Sequence, residues 1–257
     1  MLTVAIGLSL ASLTSAQRFF LDYVPEESNV RYDGRFTFAR LKYSVAPGGF
    51  YYKNIPAWAH GYANTDAGVS AEHQLMKIMD AISSVHPRVD GSNVFALDDP
   101  QLCKFPIAYM TEAGYWQIND KEARAFRAYL EKGGFVIFDD FRAPPRGGGG
   151  WETFEENMRR ILPDAKIVDL DPSHPIFHSF FEISALDILP QFYDEARPII
   201  RGIYEKNDPS KRLVAVINFN TDIAQYWEYS GTGLTPVTDS NEAFKLGVNY
   251  IIYGLTH

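Results

Sequence analysis

The stretch GGFVIFDDFR ends an apolar run with two adjacent carboxylates, Asp139 and Asp140. Adjacent side chains on an extended strand face opposite ways, so one aspartate is expected to face a crevice. The other is expected to accept hydrogen bonds from backbone amides or to pair with an arginine such as Arg142. Because neighbouring carboxylates raise each other's pKa and attract cations, the pair predicts a ligand or metal site. The alternative is a pair that only stabilises a loop.

A second group that can do chemistry is His60, which lies in the aromatic stretch WAHGYANTD. Imidazole exchanges a proton near neutral pH, so His60 is a candidate acid–base group in a pocket walled by Trp58, Tyr62 and Asp66. The loop around it is too long and too aromatic for a simple connection. The alternative is an aromatic loop that only packs over the sheet.

Further candidates follow other apolar segments. Glu112 follows FPIAYMT, and Asn218 lies near the end of RLVAVINFN. Trp227 and Tyr229, in QYWEYSGTG, are expected to stack on a sugar ring or, alternatively, to contact another protein. The complete set of predicted ligand-binding residues is Trp58, His60, Glu112, Asp139, Asp140, Arg142, Asn218 and Trp227.

Two other patterns are less specific. His174 and His178 in HPIFH have the spacing of metal ligands on one helix face, but a capping role for His174 explains the spacing equally well. The glycines from 147 to 150 do not fit GxGxxG, and no GK[ST] follows them, so a phosphate-binding loop is not predicted.

Alternating apolar strands and amphipathic helices must position these residues. Strands are predicted within residues 36–45 and in SNVFALDDP, FPIAYMTEAG, GFVIFDD and AKIVDLD. Helices are predicted from a cap at Thr65 or Asp66 to about residue 85, after the cap Asn119, over about residues 151–161, and after the cap Ser240. The segments RPIIRGIYEK and RLVAVINFN, joined by NDPSK, predict an antiparallel hairpin at the edge of the sheet.

This order of elements predicts an α/β fold: a doubly wound, mostly parallel sheet with helices on both faces, plus an antiparallel edge hairpin. Ligands on such sheets bind at the carboxyl ends of the strands, where the strand order reverses. The GGFVIF strand is therefore predicted to be central and parallel, with Asp139 at its carboxyl end. His60, Glu112 and one of the two aspartates are predicted to converge in one cavity under the aromatic loop.

Composition and the first residues narrow the class of protein. The 257 residues carry a net charge of −8 without clustered Lys and Arg, so nucleic acid is not an expected partner. The apolar run from Leu2 to Leu13 is shorter than the roughly 20 residues that span a bilayer, and Thr14 and Ala16 are small residues of the kind found before a signal-peptidase site. Residues 1–16 are therefore predicted to be a signal peptide, and residues 17–257 a single periplasmic or secreted domain without a transmembrane segment. The alternative is a buried first helix or strand.

Five phrases occur in an order that resembles the bacterial domain-of-unknown-function 4159 family: FTFARLKY, FPIAYMTEAG, YLEKGGFVIFDDF, HPIFHSFF and AFKLGVNYIIYGLTH. The resemblance runs from about residue 35 to residue 257. It implies a flavodoxin-like sheet similar to class I glutamine amidotransferase and trehalose-utilisation-type domains. It implies no reaction, because the family has none assigned.

Amidotransferase-like folds place a nucleophilic cysteine on a strand-to-helix turn. The equivalent turn follows GGFVIF and offers no thiol or hydroxyl, while the single cysteine, Cys103, precedes a predicted strand. The leading hypothesis is therefore an exported amidotransferase-like domain that lacks the catalytic cysteine and binds a small polar or carbohydrate-like ligand. The alternatives are a carboxylate- or metal-dependent hydrolase and a protein-interaction module of a cell-envelope complex. No particular cofactor or metal follows from the sequence.

Overall fold

The computed structural model describes residues 28–49, 55–62, 70–141, 150–191 and 196–257. The predicted signal peptide, the proposed caps Thr65 and Asp66, Arg142 and the glycines 147–149 lie outside these ranges. The strands are β1 (Ala39–Lys42), β2 (Ser44–Val45), β3 (Asn93–Ala96), β4 (Ile107–Thr111), β5 (Trp116–Gln117), β6 (Phe135–Phe141), β7 (Ile167–Asp169), β8 (Ile199–Tyr204) and β9 (Leu213–Phe219). The α-helices are α1 (Ala71–Ile82), α2 (Asp120–Glu131), α3 (Trp151–Ile161), α4 (Ile223–Glu228) and α5 (Val237–Thr256).

The main sheet contains seven strands in the spatial order β3-β1-β4-β6-β9-β8-β7. From β3 to β9, each strand is parallel to its neighbour. Strand β6 is central and has a parallel strand on each side, which confirms the prediction for the GGFVIF segment. The chain runs from β1 outward to β3 and then crosses back to β4, so the strand order reverses between β1 and β4. Such a reversal opens a crevice at the carboxyl ends of the two strands.

The predicted hairpin forms, because β8 is antiparallel to β9 from Ile199↔Phe219 to Tyr204↔Leu213. It does not form the edge of the sheet, however. Strand β7 pairs antiparallel with the other side of β8 and is outermost. The physical reason is that β8 would otherwise expose a row of unpaired backbone N–H and C=O groups, which β7 satisfies.

Helices cover both faces of the sheet, as predicted. Side chains alternate along β4, so Ile107 and Tyr109 join the core beneath α1, α4 and α5, whereas Ala108 and Met110 join the core beneath α2 and α3. Both faces of the central strands are therefore apolar, as expected for a parallel sheet between two helical layers.

The predicted first strand is split. Strand β1 ends at Lys42, and after Tyr43 the chain continues as β2, which pairs antiparallel with β5 in a separate two-stranded sheet. The division occurs at Tyr43, whose buried hydroxyl donates hydrogen bonds to the carbonyls of Thr111 and Glu112 at 2.9 and 2.8 Å. This side chain ties the end of β1 to the end of β4.

The outer edge of β3 is covered by side-chain amides. Asn29 donates to the carbonyl of Val94 at 2.9 Å and accepts from its N–H at 2.8 Å. Asn93 does the same for Val30, accepting from its N–H at 2.7 Å and donating to its carbonyl at 3.3 Å. The segment before β1 is thus attached along β3 by reciprocal amide bonds.

The predicted helix ends hold for two helices and need correction for two. Helix α2 has the predicted capping box, in which Asn119 and Glu122 each accept the other's backbone N–H, and α3 has the predicted bounds. Helix α1 is capped by Ser70 and ends at Ile82, because Ser83 has an extended backbone. Helix α5 begins at Val237, before Ser240, because the N–H groups of Asp239 and Ser240 both donate to the Pro236 carbonyl at 3.1 Å. Among the described residues, no helix is both long enough and apolar enough to cross a membrane.

Candidate functional site

One residue at the carboxyl end of each of three neighbouring strands, β4, β6 and β9, has an unusual backbone conformation. Glu112, Asp140 and Asn220 have φ angles of 52°, 58° and 59°. Residues other than glycine rarely adopt this left-handed region, and each instance costs on the order of 1–3 kcal/mol, with asparagine at the low end. Strain of this kind persists where it turns functional side chains in a required direction. The carboxyl ends of the central strands are therefore a candidate location for a functional site.

Strand β6 contains a bulge at its two aspartates. Its pairing with β9 shifts register between Phe138 and Phe141. A bulge inserts an extra residue and redirects the neighbouring side chains. The consequence is that Asp139 and Asp140, although adjacent, contact different parts of the protein.

The Asp139 carboxylate is fully buried and accepts hydrogen bonds on both oxygens. Oδ2 accepts from the Tyr109 hydroxyl at 2.9 Å and from the Ala224 N–H at 3.1 Å. Oδ1 accepts from Asn218 Nδ2 at 3.0 Å and from the Ile223 N–H at 3.3 Å. Asp139 thus joins β4, β6 and β9 to the first turn of α4, which is the amide-bonding role expected for one aspartate of the pair.

The charge of Asp139 is disfavoured by its surroundings. Burial raises the pKa of Asp139, the nearby Asp140 charge raises it further, and the hydrogen bonds lower it, with a result of about 6. Asn218 is itself fixed, since its Oδ1 accepts from the Tyr250 hydroxyl at 2.9 Å and its side chain is fully buried. The predicted contact of Asn218 with a ligand is therefore corrected: Asn218 supports Asp139 and does not reach the crevice.

Asp140 faces the loop that carries His60. Its Oδ2 lies 2.8 Å from His60 Nδ1, and its Oδ1 accepts from Gln191 Nε2 at 3.1 Å. Gln191 also donates to the carbonyl of Phe141 at 2.8 Å, which fixes the amide beside the bulge. The Asp140 side chain is 1% exposed, whereas that of His60 is 24% exposed, so solvent reaches the pair from the histidine side.

The carboxylates around His60 favour its charged form. Burial lowers the pKa of His60, but the hydrogen bond to Asp140 and the charges of Asp140, Asp222 and Glu228 outweigh burial and raise the pKa to about 9. Asp222 Oδ2 lies 3.9 Å from His60 Nδ1, so a second carboxylate approaches the same ring nitrogen.

Glu112 completes a compact cluster. One potential ligand atom from each of His60, Glu112 and Asp140 lies within 4.8 Å of the others, and no other group of this kind occurs in the part of the chain that the structure describes. The predicted convergence of these three residues is confirmed, although they come from the loop after β1, the end of β4 and the end of β6. The cluster lies at the carboxyl ends of β4 and β6, next to the position between β1 and β4 where the strand order reverses.

Negative charge exceeds positive charge around this cluster. Among the described residues, the carboxylates that are 4% exposed or less are Glu72, which pairs with Arg40, and Glu112, Asp139, Asp140, Asp222 and Glu228. The cationic partner of Asp140 and Asp222 is His60. Burial raises the pKa of Asp222 well above its ordinary value, and the Asp140 charge raises it further. Buried carboxylates without enough counter-charge must hold protons or bind a cation.

Several supporting residues were not among those predicted from the sequence. Asp222 could have been recognised as a helix cap, since its Oδ1 accepts from the Gln225 N–H at 2.9 Å at the start of α4. Glu228 lies at the end of the same short helix. Gln191 lies in an irregular segment with no periodic pattern, so no local signal could have linked it to Asp140.

Both predicted tryptophans are buried, and the stacking role predicted for Trp227 is wrong. Trp227 is fully buried in α4, with its ring centroid 6.3 Å from that of Tyr109, so it cannot stack on a sugar. Trp58 is 7% exposed and lies in a buried 3-10 turn, Ala57–Ala59. Both side chains lie on apolar faces, one of a helix and one of a turn, and pack in the core because burying so large a ring is favourable. Arg142 lies outside the described residues.

The remaining candidates lie elsewhere. Cys103 is exposed in a 3-10 turn before β4, at the amino end of that strand, as the sequence predicted. His174 accepts the Ile176 N–H at 3.1 Å, which is the capping alternative. His178 instead pairs with Glu182 at 2.5 Å. The two histidines therefore bind different groups.

Comparison with known proteins agrees with the resemblance seen in the sequence phrases. Residues 37–255 match the family described as "Domain of unknown function (DUF4159)". Comparison with curated proteins found no match. The family match covers most of the chain, including all three residues of the cluster, and the chain therefore belongs to the DUF4159 family.

Proposed function

We propose that His60, Glu112 and Asp140 bind a divalent transition-metal ion, which in turn holds a small polar ligand at the strand ends. The observation that carries this proposal is the approach of one ligand atom from each residue to within 4.8 Å of the others. The excess of buried carboxylates supports it, because a dication would supply the missing counter-charge.

The donor set favours particular metals. Imidazole suits Zn²⁺, Fe²⁺ and Co²⁺, whereas Mg²⁺ and Ca²⁺ prefer sites built from oxygen alone. One histidine with two carboxylates therefore points to a first-row transition metal. Three protein ligands also leave coordination positions for water or a ligand, as catalytic sites require.

Metal-dependent hydrolysis is the second candidate function. It is favoured by Asp222, which lies 3.9 Å from His60 without belonging to the ligand cluster, and so adds a carboxylate that can hold a proton beside the site. A metal in such a site lowers the pKa of bound water and polarises carbonyl or phosphoryl oxygens. Without such a reaction, the domain is a binding protein for a small polar or carbohydrate-like molecule. An interaction module is less favoured, because the three cluster residues converge.

Export is part of the proposal. It is supported by the apolar run before Thr14 and the small residues Thr14 and Ala16. The expected result is that native protein begins near Gln17, measured as the intact mass of protein isolated from its own cells. Material that retains Met1 and Leu2 would contradict export.

The metal is tested by titrating chelator-treated protein with Zn²⁺, Co²⁺ and Mn²⁺ and measuring stoichiometry and affinity by calorimetry. One equivalent is expected to bind, and Glu112→Gln and Asp140→Asn are each expected to weaken binding by at least about tenfold. The matched control is Asp80→Asn, which removes an exposed carboxylate 3.6 Å from His86 near the end of α1. The proposal fails if the wild-type protein binds none of the three ions, or if the control weakens binding as much as the cluster variants do.

A further inference from the structure

Arg40 is a buried arginine that is not a member of the metal-binding cluster. It lies on β1, beside Tyr109 of β4 in the sheet register, and its side chain is 0% exposed. A guanidinium is always charged, so its complete burial requires strong partners. Those partners connect it to the segment that carries His60.

Arg40 donates hydrogen bonds to two carbonyls of that segment. Its Nη1 lies 3.0 Å from the Trp58 carbonyl and 2.8 Å from the His60 carbonyl. The turn Ala57–Ala59 is buried, so its carbonyls need donors inside the protein. The His60 backbone is therefore fixed from the side of β1, while its ring is bonded to Asp140 from the side of β6.

The guanidinium is oriented by contacts on its other sides. Its Nε donates to Glu72 Oε1 on α1. Its central carbon lies 5.0 Å from the ring centroid of Tyr109 and 5.6 Å from that of Tyr62. A planar fork with several donors can bond a carboxylate and two carbonyls together and still stack on an aromatic ring, which a lysine ammonium cannot do in the same way.

We propose that Arg40 is a positioning residue for the metal site: it holds the His60 backbone so that the imidazole meets Glu112 and Asp140, and Glu72 holds Arg40. This inference rests on the proposed function, since it assigns a role toward that site. The inference goes beyond the proposed function because Arg40 and Glu72 do not themselves contact the metal.

The ion pair itself is poorly suited to a purely stabilising role. Within the described residues, Arg40 Nη2 and Glu72 Oε2 are buried and have no hydrogen-bond partner. Buried ion pairs with incomplete hydrogen bonding are often no more stable than apolar residues of similar volume. A pair that is costly to bury and that fixes a candidate ligand residue is better explained by its effect on the site.

The test compares three variants with wild-type protein. Arg40→Lys keeps the charge opposite Glu72 but loses the planar fork. The double variant Arg40→Met/Glu72→Leu removes both charges, so that neither is left buried alone. Arg212→Lys is the matched control, because Arg212 also donates to two backbone carbonyls, those of Leu130 and Gly134, but lies near the amino end of β6, away from the cluster. The melting temperature of each protein shows whether it is folded. Its affinity for Co²⁺ is measured by titration followed by visible absorbance. The ring nitrogens of His60 are observed by NMR in metal-free protein.

Both Arg40 variants are expected to bind Co²⁺ about 10–100-fold more weakly, as losses of outer contacts to metal ligands do, while Arg212→Lys binds close to wild type. In metal-free protein, the signal of the Nδ1 proton that His60 shares with Asp140 is expected in wild type and in Arg212→Lys, and it is expected to be lost in the Arg40 variants. The inference is overturned if folded Arg40 variants keep wild-type Co²⁺ affinity and the Nδ1 signal. If the double variant does not fold, the Co²⁺ affinity and the Nδ1 signal of Arg40→Lys test the role of Arg40. If wild type binds no metal, the proposed function fails, and the NMR signal alone decides the role of Arg40.

Discussion

Asp139 and Asp140 show how neighbouring residues of one type can take different roles. The bulge in β6 leaves Asp139 among four hydrogen-bond donors from β4, β9 and α4, whereas Asp140 meets the partly exposed His60. Alternation along a strand predicted this division from the sequence. The bulge was not predictable, because it depends on the pairing of β6 with β9, residues far apart in the chain.

This division predicts that the same substitution has unequal effects on stability at the two positions. Asp139→Asn places an NH₂ group against donors and is expected to lower the free energy of unfolding by about 1–3 kcal/mol, the usual effect of an unsatisfied buried group. Asp140→Asn is expected to destabilise less, because it removes one of several buried carboxylates that repel each other. Urea denaturation of metal-free protein measures both changes. A larger loss of stability in Asp140→Asn than in Asp139→Asn would contradict these roles.

At the scale of elements, the sequence correctly predicted the ends of those helices whose ends are determined by residues close by in the chain. The capping box of α2 and the bounds of α3 follow from neighbouring residues. The starts of α1 and α5 were placed incorrectly, because Ser70 and Pro236 compete with other plausible caps nearby and only the tertiary packing selects between them. The burial of Trp227 likewise depends on how α4 packs against α1 and α5.

The segment before β1 gives a pH-dependent prediction. Hydrogen bonds from Arg35 hold the pKa of Asp33 at about 2, below its usual 3.8, with a further contribution from the charge of Arg88. Because the folded-state pKa is lowered, this stabilisation is present above about pH 4 and is lost as the pH falls toward 2. Asp33→Asn is therefore expected to lower the melting temperature slightly at pH 7 and not at pH 2. Equal effects at both pH values would show that the charge is not the cause.

At the scale of the whole molecule, the rule that ligands bind where strand order reverses predicted the convergence of His60, Glu112 and an aspartate. It could do so because parallel strands bring their carboxyl ends to one edge. The rule could not identify Arg40, Glu72 or Gln191. Their contribution depends on side-chain contacts between elements that are distant in sequence.

Convergence across three elements predicts that metal binding stabilises the whole fold. A ligand that binds only the folded state at about 100 times its Kd adds about 2.7 kcal/mol, which corresponds to roughly 5–10 °C in melting temperature for a domain of this size. Wild-type protein is expected to show this rise with Co²⁺ or Zn²⁺, and Glu112→Gln is not. Scanning calorimetry with and without chelator measures it. A rise of equal size in both proteins would place the stabilising ion elsewhere.

The amide bonds of Asn29 and Asn93 along β3 have a consequence for behaviour in concentrated solution. An exposed strand edge is a template on which another chain can add a strand and begin to aggregate. At Val94 that template is closed, because both of its outward backbone groups are bonded to Asn29. At the opposite edge, β7 offers only the short stretch Ile167–Asp169. A sheet built this way discourages the addition of strands from other chains at both of its edges.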